Sequence, residues 1–231
     1  MREHPARVLH ECPHNLQADV GLWDELPARI YARLTKEGGL PARIARVWAA
    51  WHKEMMADML ALVLGGPAAV ESLMDVVGRA RASTVRFNVM GVHPTPVLRV
   101  PISLVLLKRI GLATLASDLG RIWRRMYPRI TPDDIPPEFM KTFHAAAELA
   151  VDTMVFQRYR QLGNKSLAEV VAFGQPQMRM IEQAGQRLAA GQDPGTVPLR
   201  LIIGAARFAI DQRLAAPQVI TDNFYRILGR R

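Results

Sequence analysis

The chain has 231 residues, 49% hydrophobic and 22% charged, which suits one large domain or two small ones and excludes a disordered, low-complexity or collagen-like polypeptide. No apolar run is long enough to span a bilayer, since the nearest, 55–70, is interrupted by Asp58, and the amino terminus lacks the apolar stretch of a secretory signal. The net charge of +9 comes from 25 arginines and five lysines spread along the chain, so it reads as a solvated helical surface and no nucleic-acid partner is expected.

Proline and glycine punctuate a series of helical patterns. The first runs over 24–37, opened by Pro27 and stopped at Gly38-Gly39; the second runs over 41–64 and stops at Gly65-Gly66. Pro67 starts a shorter helix to residue 77. Residues 79–100, with Val85, Phe87, Val89 and three prolines or histidines close behind, read as a loop with one short strand. Helical patterns resume over 101–126, 136–161, 166–190 and 197–229. The fold class is mainly α with little or no sheet. The proline-rich break at 128–137 divides the chain into a helical core, 1–128, and a carboxy-terminal helical subdomain, 137–231.

Three short motifs carry chemistry. His10-Glu11-Cys12-Pro13-His14 fits H-E-x-x-H: positions i and i+4 share a helix face, so two imidazoles can hold one Zn²⁺ with a glutamate near a water on the metal. The plain alternative is a pair of surface histidines. Glu54-Met55-Met56-Ala57-Asp58 places two acids at i and i+4 in a helix otherwise rich in Trp48, Trp51, Met55, Leu60 and Val63. Carboxylates in apolar surroundings need a cation or a partner, which a metal at Glu54 with Asp58 behind a histidine would supply, as would Lys53 and nearby arginines at the surface. His93-Pro94-Thr95-Pro96-Val97-Leu98-Arg99 offers a histidine on a turn and a fixed cation, either able to steady an oxyanion.

In this order, H-E-x-x-H, E-x-x-A-D and H-P-x-x-x-x-R resemble zinc metallopeptidases of the HtpX and CaaX prenyl endopeptidase type, the gluzincins, over roughly residues 8–110. The resemblance implies zinc held by His10, His14 and Glu54, with Glu11 as general base and Asp58 supporting a ligand histidine. It also places His93 and Arg99 on the facing loop, near the metal or the oxyanion. The activity it implies is peptide-bond hydrolysis by metal-activated water on a peptide or protein substrate.

Two departures are plain. Pro13 stands inside the motif, where a helix interior would lose a backbone bond; the site needs a helix that starts near residue 9 or 10. Only nine residues precede His10, fewer than the sheet that members carry before the motif helix, so the chain reads as an N-terminally short relative. An inactive relative serving as a helical interaction module is the alternative; a basic helical binder of nucleic acid or anionic membrane is a third. Among the remaining residues, His52 faces away from Glu54 and His144 reads as packing. Trp123 with Met126–Arg129 makes a basic-aromatic helix end, which leaves peripheral membrane contact open. The single cysteine, Cys12, excludes an internal disulfide framework and points to a reducing, cytoplasmic setting.

Overall fold

The computed structural model describes residues 8–229. It is a helical assembly, 72% helix, with one two-stranded ladder among the described residues. The helices are α1 Val8–Asp19, α2 Leu22–Lys36, α3 Ala42–Ala50, α4 His52–Gly65, α5 Pro67–Val77, α6 Arg81–Thr84 and α7 Pro96–Arg109. They continue as α8 Ala113–Met126, α9 Pro137–Val151, α10 Leu167–Val170, α11 Gln175–Ala189, α12 Leu199–Asp211 and α13 Pro217–Leu228. A π turn at Asp152–Phe156 follows α9, and strands β1 Arg158–Tyr159 and β2 Lys165–Ser166 pair antiparallel beyond it.

The centre of the fold is α4. Its residues Met55 to Val63 are all buried, as a helix apolar on every side must be, and α1, α2, α5, α7 and α12 surround it. One hydrophobic cluster runs from Leu22 to Leu201, so the segments on either side of 128–137 share it. A smaller cluster of Ala184, Leu188, Ile202, Ala205, Phe224 and Ile227 joins α11, α12 and α13. Gly185 permits that junction: a Cβ there would stand 2.8 Å from the Ala205 carbonyl oxygen.

The expected 41–64 helix is two. At Trp51 (φ −81°, ψ −3°) the chain loosens into a turn whose N–H is shared by the Val47 and Trp48 carbonyls, and it passes from amphipathic α3 into largely buried α4. The Trp48 and Trp51 rings both pack on Phe139, at centroid distances of 5.8 and 5.4 Å, which fixes this corner against α9. The expected 101–126 helix also divides, because Gly111 (φ +88°) ends α7 and Leu112 N–H closes back on the Leu107 carbonyl. No strand forms within 79–100; α6 is one turn, and α7 begins at Pro96 rather than Pro101.

The prolines inside helices fall into two groups. Pro67, Pro96, Pro137, Pro176 and Pro217 each occupy the first turn of a helix, where no backbone donor is required. Pro13, Pro27 and Pro101 each stand sixth in theirs, where a single intrahelical bond is forgone. Pro27 therefore lies within α2 and does not open it.

A candidate metal centre

Helix α1 lies against α4 with an unusual inner face. Positions 10, 13, 14 and 17 follow the i, i+3, i+4, i+7 spacing, so His10, Pro13, His14 and Gln17 point the same way. Pro13 and Gln17 are buried there. The Gln17 amide donates to the Lys53 carbonyl at 3.1 Å and ties α1 to the first turn of α4. Pro13 does not bend His14 away from His10: α1 runs unbroken past both, and their rings meet edge to face at 5.1 Å.

Opposite this face, the first turns of α4 present Glu54 and, one turn on, Asp58. His10 turns Nδ1 to Asp58 Oδ1 (3.0 Å) and Nε2 to Glu54 Oε2 (3.5 Å). His14 Nε2 lies 3.5 Å from Glu54 Oε1. The ligand atoms of His10, His14 and Glu54 all lie within 4.8 Å of one another, a group that could hold a metal ion. The donor set fits zinc. Two imidazole nitrogens and a carboxylate leave one position open, and ligands at 2.0–2.1 Å around a tetrahedral ion stand about 3.4 Å apart. The two nitrogen–oxygen separations, one to each oxygen of Glu54, are 3.5 Å, close to that edge.

The other expected residues gather around the group. Arg99 makes a bidentate pair with Asp58 (Nε–Oδ2 2.9 Å, Nη2–Oδ1 2.8 Å) and reaches Glu54 Oε2 at 3.3 Å. It lies on α7, not on a loop; the Trp123 indole donates to the Val97 carbonyl and anchors that helix start. His93 does sit on the loop, with its side chain 67% exposed and Nε2 3.4 Å from Glu54 Oε1. Glu11 faces solvent and lines a recess of about 70 Å³ with His10, Asp58 and Arg99, floored by Ala61 and Leu73.

This crowd sets the charges. Burial works to lower the His10 pKa, but the bonds to Asp58 and Glu54 outweigh it and raise it to about 9. Burial works to raise the Glu54 pKa, yet the His10 bond and the charges of Arg99 and His93 hold it down at about 2.

Three further residues settle differently from their sequence reading, or confirm it. His52 is buried, its Nδ1 donating to the Ala49 carbonyl at 2.8 Å, and takes no part in the site. His144 is exposed, touching Phe143 edge to face, and so does not pack in the core. Trp123 is buried, and the exposed helix end at Met126 carries Arg124 and Arg125 without it. Gln17 escaped the sequence reading, although its place one turn beyond His14 on the same face was visible. Comparison of the chain with protein-family models, curated proteins and solved structures gave no match.

Proposed function

We propose that this chain is a zinc-dependent peptide hydrolase of the gluzincin type, with His10, His14 and Glu54 as the metal ligands. The observation that carries the reading is the convergence of two histidines from α1 and a glutamate from α4, their ligand atoms within 4.8 Å of one another, with a buried Asp58 holding the back of His10. Such an outer carboxylate fixes the ring's tautomer and raises its basicity. When bound, zinc would supply Lewis acidity toward a water and a substrate carbonyl.

The chain's own residues do the rest. Glu11, exposed beside His10, takes the proton from the attacking water and passes it to the departing amine. His93, exposed and 3.4 Å from Glu54, donates to the developing oxyanion. Arg99 holds Asp58 and Glu54 in place from behind, and the recess next to Glu11 has room for one small substrate side chain. The lone cysteine, Cys12, is exposed and free, which suits a reducing, cytoplasmic setting.

One observation favours a second reading. Glu54 already meets His10, His14, His93 and Arg99, so the cluster can satisfy itself as an ion network in an inactive helical interaction module. The two are separated by zinc content. Protein purified without chelator is expected to hold about one zinc per chain and to lose it with Glu54→Ala. It should then cleave an unstructured protein, and Glu11→Gln should abolish cleavage while keeping the metal. Absence of zinc after reconstitution of folded protein overturns the hydrolase reading.

A further inference from the structure

A second cavity lies away from the histidines and shares no residue with them. It measures about 340 Å³ and opens where α5, the α7–α8 turn, α11 and α12 meet. That is the small end of the range for ligand pockets. Met178, Ile181 and Phe208 form an apolar wall; the charged residues of the lining are Glu71, Asp118, Glu182 and Asp211, with no lysine or arginine among them. In a chain of net charge +9, the cavity gathers a fifth of the acids and none of the bases.

The cations nearby do not balance this wall. Asp118 is met by Arg121 at 2.5 Å. Arg207 is shared three ways, at 2.6 Å from Asp75, 2.8 Å from Asp211 and 3.5 Å from Glu71. Half-buried Glu182 has no ion-pair partner among the described residues. Burial, together with the facing Asp211 and against the pull of Arg207, pushes the Glu71 pKa up to about 8. At neutral pH a proton thus occupies a place where a second cation would fit.

We propose that this cavity binds a small organic cation, an amine with an apolar body. The ammonium group sits among Glu71, Asp211 and Glu182, and the body lies on Met178, Ile181 and Phe208. A bare divalent ion is the poorer match, because it would seek six or more oxygens where the wall is largely hydrocarbon. Binding displaces the Glu71 proton, so uptake of the amine releases a proton near pH 7.

The test is calorimetric titration of the full chain with hexylamine at pH 7, in phosphate and in HEPES, alongside hexanol, hexanoate and magnesium chloride. Saturable binding of the amine alone is expected, with proton release seen as a difference between the buffers. Glu182→Gln and Glu71→Gln should each weaken it by about tenfold or more. Glu182 stands on a partly exposed helix face, so its variant keeps the test available if Glu71→Gln folds poorly. No saturable amine binding, equal binding of hexanol, preference for magnesium, or indifference to both substitutions would overturn the proposal.

Discussion

Asp58 joins Arg99 to His10: its two oxygens take both arms of the guanidinium, and Oδ1 also faces the imidazole Nδ1 at 3.0 Å. A buried carboxylate with a cation on one side and a histidine on the other cannot swing, and neither can the ring it holds. Asp58→Asn preserves the shape but gives up the charge that both partners use. Zinc affinity, measured by competition with a chelating dye, should fall about 10- to 100-fold. An unchanged affinity would remove Asp58 from the metal's support.

Glu54 is the carboxylate that four nitrogen-bearing neighbours share, His10, His14, His93 and Arg99. Glu54→Ala leaves the Arg99 guanidinium with Asp58 alone, and leaves protonated His10 short of one partner. In metal-free protein the expected cost is about 2 kcal/mol, the range for a lost hydrogen bond to a charged group, since Asp58 still pairs both. Denaturant melts in excess chelator check it, and Glu54→Gln should recover part of the loss.

Gly66 links α4 to α5 at φ +72°, and a Cβ there would fall 2.3 Å from the Phe173 ring. Gly66→Ala combines a disfavoured backbone with a clash inside the core. A loss of about 3 kcal/mol or more is expected, read from the urea midpoint. The proposed metal ligands lie on α1 and at the opposite end of α4, so metal content of the folded fraction should stay unchanged.

The pH profile follows from Glu71. Its pKa is about 8 in the folded chain against 4.5 ordinarily, so the stability tied to its protonation is complete below pH 4.5 and disappears as pH rises through 8. In metal-free protein His10 acts in the same sense, from 6.5 to about 9. Melting temperature should therefore decline from mildly acid to alkaline pH. Glu71→Gln should flatten the lower part of that decline, and a profile identical to wild type would contradict the assignment.

What the sequence disclosed was whatever depends on local spacing. The i, i+4 pairs His10/His14 and Glu54/Asp58 need only a helix, and the helix that starts at Pro67 announces itself by its proline; the start at Pro217 lay hidden inside the expected 197–229 helix, which divides into α12 and α13. The break at Trp51 was hidden, because it arises from how α4 is enclosed by five other helices and not from any breaker residue. The placement of Arg99 on a helix was hidden by its neighbours Pro94, Pro96 and Pro101, a density that looks like a loop until α7 is seen to start on one of them. Glu71 and Asp75 have the same spacing as Glu54 and Asp58, yet their partner Arg207 comes from α12, too far along the chain for any spacing to suggest.

Among the described side chains of helix α1, Pro13 and Gln17 are the buried ones. Polar groups clasp it to α4: the amide of Gln17, the carboxyl of Asp58 and the nitrogen–oxygen group around Glu54. An ion held there would act as a buckle between the first helix and the axle of the fold. Amide exchange would then be the gauge: with the buckle open, α1 exchanges freely while α4, enclosed on every side, stays protected.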